Sequence, residues 1–177
     1  DHVILEASSH GLDQKRLDNI NINIGILTNF SQDHLDYHKS MQKYFKSKMY
    51  LFNNLLNKKS KIISDEDIKE FSVLKRISEK RKINKITIGK KSGTVKILDH
   101  SYQNQNQIVK ISFQSKVFLL KIPLIGYYQV KNILMAALAA HCCKLNINKI
   151  LKAIHKIKPV PGRLENVANL KNNSRIV

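Results

Sequence analysis

Short apolar runs alternate with stretches of helical periodicity over the first half of the chain. Apolar residues recur every three to four positions over 40–56, which predicts an amphipathic helix, and a second helix capped by Asp65 or Asp67 is predicted to run to about Lys80. Four short apolar runs predict buried strands: 3–5, 22–28, 61–64 and 83–88. Strands that alternate with helices in this way favour a parallel α/β sheet.

The pattern changes at Gly93, because the next three apolar runs have no helical stretch between them. Gln114-Ser115-Lys116 joins the last two runs closely enough to predict a hairpin, and therefore a small antiparallel sheet. Two helices are then predicted at 129–145 and 148–157, the second capped by Asn146 or Asn148. The three predicted strands are 95–98, 108–113 and 117–122.

Composition limits the class of protein without naming its function. The 177 residues suit one domain or parts of two, and no apolar run reaches the roughly 18 to 20 residues that cross a bilayer. The net charge of +18 raises the alternative of a nucleic-acid-binding module, but only five of the 31 basic residues are Arg and the Lys are dispersed. We interpret the charge as compositional and expect neither a nucleic-acid nor a membrane partner.

The cysteines and the two ends of the sequence bear on the cellular compartment and on the extent of the piece. Cys142 and Cys143 are adjacent and are the only cysteines, so no disulfide framework is predicted, as is usual in a reducing cytoplasm. The sequence does not begin with Met and stops within the apolar stretch at 175–177. We therefore expect an internal piece of a cytoplasmic protein, cut through structure at both ends.

Two polar clusters follow the first two predicted strands, where ligands bind in open α/β sheets. Glu6 begins the first cluster, 6–11, and its carboxylate suits Mg²⁺; the alternative is a simple strand-end turn in which Ser caps the next helix. The second cluster, 28–38, contains two His and two Asp between 33 and 38. It is open to interpretation as a polar helix start, as a ligand loop, or as a zinc hydrolase site on His34 and His38, although no further zinc ligands are found.

Lys48 lies within the apolar face of the helix predicted at 40–56. With Met41 at zero on a helical wheel, Phe52 falls at about 20° and Lys48 at about 340°, whereas Lys46 falls at about 140° on the polar side. An ammonium on an apolar face is unfavourable unless it is paired, neutral or able to reach solvent. Snorkelling and a special chemical role both remain open on this pattern alone.

Several motifs in register resemble those of the Mur ligase family, and most closely its tripeptide-forming, MurE-type members. Residues 6–16, EASSHGLDQKR, are similar to the family's E-[VA]-S-S-H-[AG]-L-x-x-x-R motif, and residues 29–38, NFSQDHLDYH, to N-L-[ST]-x-D-H-L-D-Y-H. Lys48 stands where the family has a carbamylated lysine. Residues 126–132 resemble the nucleotide segment G-x-x-N-x-x-N, and 161–165 resemble P-G-R-x-E.

The resemblance implies an ATP- and Mg²⁺-dependent ligase that adds an amino acid, diaminopimelate or lysine, to UDP-N-acetylmuramoyl-L-alanyl-D-glutamate through an acyl phosphate. It implies that Glu6 binds one Mg²⁺ and that His34 and Lys48, the latter as N6-carboxylysine, serve a second, with His34 and Lys48 catalytic. The same resemblance implies two further sets of binding residues. The residues expected to bind the UDP-sugar substrate are Ser8, Gln14 and Arg16, and those expected to bind the nucleotide are Gln129, Asn132 and Arg163.

The resemblance also predicts the extent of the piece. Residues 1–158 are expected to form the later part of the central ATP-binding domain, and 159–177 the linker and the start of the carboxy-terminal domain. Gln129 replaces the family's first Asn in the nucleotide segment, which puts its contact in question. The family's phosphate loop falls upstream of residue 1, so we expect the piece alone to be inactive. A monomer is expected.

Overall fold

The computed structural model describes residues 1–103, 106–162, 168–169 and 175–176. The chain divides into two compact units, 1–86 and 87–177. Parallel strand pairs, helices and a small antiparallel sheet are all present, so the predicted α/β fold class is confirmed. Among the described residues, no helix is both long and apolar enough to span a membrane.

The first unit is built on a parallel pair of strands. β1 (Ile22–Leu27) runs beside β2 (Leu56–Asp65) with Gly25 opposite Ile62 and Leu27 opposite Ser64, and side chains such as Phe52 and Leu56 belong to the core of this unit. The pair confirms two of the predicted strands. The elements of this unit are α1 (Ser9–Asp13), β1 (Ile22–Leu27), α2 (Leu35–His38), α3 (Met41–Tyr50), a π-helical turn (Leu51–Leu55), β2 (Leu56–Asp65) and α4 (Phe71–Arg81).

The predicted amphipathic helix is present, but its last turn is π-helical. Ser40 caps α3, since its Oγ accepts a hydrogen bond from Lys43 N at 3.3 Å. The π-helical turn is closed by Arg81 of α4, whose guanidinium donates to the carbonyl oxygens of Phe52 at 2.7 Å and Leu56 at 2.6 Å. Arg81 therefore joins the π-helical turn to the first residue of β2.

The strand predicted at 3–5 is wrong. Val3 and Ile4 are 83% and 97% exposed, and these residues form no strand. An apolar run becomes a strand only when a neighbouring strand supplies its hydrogen bonds, and none does so within the described residues. The polar cluster that begins at Glu6 therefore follows an extended segment and not a strand end.

The helix predicted from Asp65 or Asp67 begins later than expected, at Phe71. Asp65 is completely buried, and its Oδ1 accepts a hydrogen bond from Asp67 N at 2.9 Å, which holds a turn instead of a helix. The α4 N-cap is Glu70, whose side chain makes no capping bond.

Four lysines occupy the left-handed region of backbone conformation, two of them immediately after a helix and two one residue further on. Lys39 and Lys82 directly follow α2 and α4, whereas one residue separates Lys15 from the end of α1 and Lys144 from the helix that ends at Cys142. This position after a helix is usually taken by Gly. The four φ angles are 55° at Lys15, 61° at Lys39, 55° at Lys82 and 68° at Lys144.

The second unit contains the antiparallel strands and two further helices. The hairpin prediction is confirmed: Gln114 and Ser115 form its turn with φ of 49° and 62°, as two-residue hairpins require. Of the two predicted caps, Asn146 is the one that caps the helix Ile147–Ala153, since its side chain accepts hydrogen bonds from Asn148 N and Lys149 N. The elements are β3 (Asn84–Gly89, which begins in the first unit), β4 (Val95–Gln103), β5 (Asn106–Phe113), β6 (Lys116–Ile122), α5 (Tyr127–Cys142), α6 (Ile147–Ala153), a 3-10 turn (Ile154–Lys156), β7 (Ala168–Asn169) and β8 (Arg175–Ile176).

Candidate functional site

The two polar clusters meet through a group of aromatic rings in the first unit. The ring centroid of His10 lies 4.9 Å from that of His34, 4.1 Å from that of Tyr37 and 5.5 Å from that of His38. α1 carries His10, and α2 carries Tyr37 and His38, with His34 at its N-cap position. The two clusters therefore lie together, although the strand that was expected to bring the first one there is absent.

Asp13 ties three elements of this site together. Its Oδ1 accepts a hydrogen bond from Ser47 Oγ of α3 at 2.9 Å, and its Oδ2 accepts one from the Tyr37 hydroxyl of α2 at 3.1 Å. Gln14 Nε2 donates to the same Tyr37 oxygen at 3.3 Å. Asp13, Tyr37 and Ser47 were not predicted as site residues, because polar side chains 24 and 34 positions apart leave no periodic pattern.

His34 is held in an uncommon backbone conformation. Its φ of 52° lies in the left-handed region, which non-glycine residues seldom adopt outside turns and functional sites. Asp33 fixes it from the preceding position, since Oδ1 accepts from the His34 amide at 2.8 Å and Oδ2 lies 3.4 Å from His34 Nε2. The His34 side chain is 44% exposed, so a ligand can reach it.

Lys48 lies on the half-buried side of α3, with its ammonium against an aromatic ring. Its Nζ lies 5.2 Å from the ring centroid of Tyr44, one turn earlier on the helix. The Tyr44 ring is itself buried and lies 5.3 Å from the ring of His38 and 6.1 Å from that of His34. The Tyr44 ring therefore lies close both to the Lys48 ammonium and to the rings of His34 and His38. No carboxylate of the described residues forms an ion pair with Lys48.

His38 is the most buried imidazole of the cluster. It is 4% exposed, and none of the described residues forms a hydrogen bond with its Nε2. Burial lowers the pKa of His38, and the nearby His10 and His34 act in the same direction, whereas Asp13 and Asp36 oppose the change. The lowered pKa favours the neutral form of the His38 imidazole.

The remaining predicted residues of the first unit lie on its surface. Glu6 is exposed and its carboxylate has no partner among the described residues. Ser8 caps α1, accepting from Gly11 N at 3.1 Å, which is the structural role proposed as an alternative for this turn. Gln14 and Arg16 are exposed, and the Arg16 amide donates to the Gly11 carbonyl at 2.9 Å.

The predicted nucleotide contacts belong to the second unit. Gln129 and Asn132 lie in the first two turns of α5 and are partly exposed, whereas Arg163 lies outside the described residues. The Gln129 amide donates to the Gly126 carbonyl at 3.0 Å, closing the first turn. Gly126 has φ of 91°, a conformation that favours glycine.

The donor groups determine which metals the first unit could hold. Among the described residues, no group of three or more His, Cys, Asp or Glu side chains is arranged to bind a metal. The zinc hydrolase alternative therefore has no support. Glu6 and His34 supply one carboxylate and one imidazole, and Lys48 adds an oxygen donor only as a carbamate. This modified set fits Mg²⁺, which prefers oxygen ligands.

The fold and the two motif-bearing loops define the class of protein, and the comparison with known families agrees. Residues 1–140 match the family described as the Mur ligase middle domain. The chain belongs to this family, which confirms the predicted resemblance.

The curated relatives place the chain near one branch of the family. A UDP-N-acetylmuramoyl-L-alanyl-D-glutamate--2,6-diaminopimelate ligase of Rickettsia bellii is 36% identical over 167 residues, covering 94% of this chain and 35% of the relative. The enzyme of the same name from Zymomonas mobilis is 35% identical over 176 residues, covering 99% of this chain and 36% of the relative. The chain thus spans about a third of the length of these relatives.

Solved structures share the fold. A structure of UDP-N-acetylmuramoyl-L-alanyl-D-glutamate--2,6-diaminopimelate ligase superposes with a TM-score of 0.82 at 26% identity, covering 94% of this chain and 34% of that one. The MurF ligase of Thermotoga maritima in complex with ADP superposes with a TM-score of 0.71 at 14% identity, covering 92% of this chain and 36% of that one. The second likeness concerns the fold alone.

Proposed function

We propose that this chain is the middle part of an ATP-dependent ligase that adds the third amino acid to UDP-N-acetylmuramoyl-L-alanyl-D-glutamate. The observation that carries the proposal is the position of Lys48, which stands at the place of the family's carbamylated lysine and lies against the Tyr44 ring, 6.1 Å from the ring of His34. Lys48 is half-buried and has no acidic partner among the described residues. The names of the relatives support diaminopimelate as the added amino acid. A monomer in the cytoplasm completes the proposal.

The reaction needs two displacements. The substrate's carboxylate oxygen attacks the γ-phosphorus of ATP, and ADP leaves; the amine then attacks the carbonyl carbon of the acyl phosphate, loses a proton, and expels inorganic phosphate from the tetrahedral intermediate. Ser8, Gln14 and Arg16 would bind the UDP-sugar substrate, because a guanidinium and neutral donors suit its phosphates. Tyr37 would orient Gln14 through their 3.3 Å hydrogen bond.

One magnesium ion would be held by Glu6, and a second by His34 and the carbamate of Lys48. When bound, these ions would supply positive charge that stabilises the transferring phosphoryl group. The chain's own contribution is placement: Asp33 fixes His34 from the preceding residue, and the Tyr44 ring lies against the Lys48 side chain. The neutral state of His38 avoids adding a positive charge that would compete with the metal.

Nucleotide binding is assigned to the start of α5. Gln129 and Asn132 offer amide groups there, and Arg163 would add a cation to the same ligand. Lys90 Nζ and Lys131 Nζ lie 5.2 Å and 5.4 Å from the Tyr127 ring centroid, which places two positive charges next to this helix start. Positive charge and a helix N-terminus both favour phosphate groups.

The proposed reaction is tested with a full-length enzyme that carries this chain. We expect ADP release to require all three reactants: ATP, UDP-N-acetylmuramoyl-L-alanyl-D-glutamate and diaminopimelate. Lysine in place of diaminopimelate should support much slower release, and mass spectrometry should detect the UDP-tripeptide. ADP release that is independent of the UDP-substrate would contradict the proposal.

Arg16→Ala should weaken binding of the UDP-substrate selectively. Loss of a charge-assisted hydrogen bond to a phosphate or carboxylate should raise the KM for that substrate roughly tenfold or more, with the KM for ATP unchanged. Steady-state kinetics with each substrate varied in turn measures both constants. The matched control is Lys15→Ala, which removes a neighbouring exposed cation; equal increases in both KM values for Arg16→Ala would count against the assignment.

A further inference from the structure

A buried glutamine in the second unit holds the backbone from which the α5 segment begins. Gln107 of β5 is 1% exposed, although its neighbours in the core are mostly apolar. Its Nε2 donates to the Leu124 carbonyl at 2.7 Å and to the Gly126 carbonyl at 3.1 Å. Both carbonyls lie in the short connection between β6 and α5. One side chain therefore bridges the two ends of this connection.

The orientation of the Gln107 amide follows from these contacts. Carbonyl oxygens only accept hydrogen bonds, so the NH₂ group must face Leu124 and Gly126, and Oε1 must face the other way. There it lies 2.9 Å from His100 Nε2 of β4, which must then carry the proton and donate it. All polar groups of the Gln107 side chain are therefore engaged at once, and the amide has a single orientation.

Gly126, whose carbonyl Gln107 binds, cannot stabilise the start of α5 with a side chain of its own. Gly126 has φ of 91°, and it is the N-cap of α5, with no side chain that could cap the helix. Its carbonyl accepts from Gln107 Nε2 and also from the Gln129 amide at 3.0 Å, so one oxygen joins the β5 core to the first turn of the helix. The His100 ring also packs against the Tyr127 ring, at 4.8 Å between centroids.

We infer that Gln107, with His100 behind it, is a positioning residue that sets the path of residues 124–129 and thereby presents the side chains of Gln129 and Asn132 to the nucleotide. This inference rests on the proposed function, because it assumes that the start of α5 binds ATP. Gln107 does not touch the nucleotide; it acts through the Gly126 carbonyl. The inferred effect is therefore on nucleotide affinity and not on the UDP-substrate.

The test is Gln107→Leu in a full-length enzyme that carries this chain, with Thr87→Val as the matched control. Thr87 is likewise buried in the second unit, and its hydroxyl accepts from the Thr94 amide, so the control also removes a buried polar group. Gln107→Leu removes the side-chain donor shared by the Leu124 and Gly126 carbonyls, and we expect the KM for ATP to rise about tenfold, with the KM for the UDP-substrate unchanged within about twofold. Thr87→Val should lower the melting temperature without changing either KM.

A second measurement covers the case in which Gln107→Leu does not fold. Gln107→Asn keeps the amide but shortens it by one methylene, so it cannot reach both His100 and the two carbonyls. Hydrogen exchange without nucleotide should then be faster for the amides of Gln129 and Val130, and not for those of β6. This readout does not depend on catalysis, so it separates failure of the positioning role from failure of the proposed reaction.

Three results would overturn the inference: an unchanged KM for ATP in folded Gln107→Leu, an equal rise caused by Thr87→Val, or unchanged exchange at Gln129 in Gln107→Asn. If the exchange rises but the wild-type enzyme binds no ATP, the positioning of the helix start stands, and its link to a nucleotide is refuted together with the proposed function.

Discussion

Lys48→Ala in a full-length enzyme should lower kcat by about 10³-fold or more, because the methyl group of Ala cannot replace an anionic oxygen beside the transferring phosphoryl group. Lys48 is suited to carbamylation by its surroundings: it is half-buried, contacts the Tyr44 ring and has no carboxylate partner among the described residues. An amine that has lost its proton can add CO₂ to give a carbamate, whereas an ammonium held by a carboxylate cannot.

Chemical rescue makes this prediction specific to the carbamate. Short carboxylic acids such as acetate or propionate should restore part of the activity of Lys48→Ala, because their carboxylates can occupy the space that the side chain leaves. Lys46→Ala is the matched control: Lys46 lies on the same helix but is exposed, and we expect full activity without any effect of added acid. Near-normal activity of Lys48→Ala, or rescue that is equal in Lys46→Ala, would refute the carbamate hypothesis.

Arg81→Met should give the largest loss of stability that we predict for an exchange of a polar residue. The guanidinium donates to the Phe52 and Leu56 carbonyls at 2.7 Å and 2.6 Å, and Met removes both of these hydrogen bonds. Hydrogen bonds from charged donors contribute about 1.5–3 kcal/mol, so the free energy of unfolding should fall by about 2–3 kcal/mol. Denaturant unfolding of the full-length enzyme measures the loss.

Two further variants test whether the stabilisation by Arg81 depends on its two separate guanidinium donors. Arg81→Lys keeps the charge, but a single ammonium cannot reach both carbonyls in parallel, so it should recover less than half of the loss. Arg76→Met changes an exposed arginine of the same helix and should alter the free energy of unfolding by less than about 0.5 kcal/mol. Equal losses from Arg76→Met and Arg81→Met would show that helix propensity or net charge, and not the carbonyl contacts, is responsible.

The elements that the sequence predicted well are those whose cause is local. Apolar periodicity located α3, and the Gln114–Ser115 link located the hairpin, because both depend on residues a few positions apart. The strand at 3–5 was predicted wrongly because hydrophobicity does not encode whether a partner strand is present. The late start of α4 has a similar origin, since the burial of Asp65 in a turn depends on how β2 packs.

The residues of the candidate site likewise separate into those that motif spacing predicts and those that depend on contacts between distant segments. Motif spacing selected Glu6, His34 and Lys48, and the structure adds that the segment after Glu6 meets the His34 loop through His10. The contacts that hold this arrangement together, above all those of Asp13, were not predicted, because they join α1 to α2 and α3 across long stretches of chain. The functional roles of the selected residues stay predictions until the variants above are measured.

The lysines that follow the helices are positions where substitution could increase the thermal stability of the protein. Lys82 and Lys144 adopt φ of 55° and 68°, where a non-glycine residue is disfavoured by about 1–2 kcal/mol relative to Gly. The chain has only six glycines, and lysine occupies these two positions although glycine adopts positive φ without a steric penalty. Replacing these two lysines by Gly would exchange conformational strain for some extra freedom in the unfolded chain. For crystallisation or industrial handling, these helix ends are therefore the first places to engineer, since both are exposed and lie outside the residues assigned to catalysis.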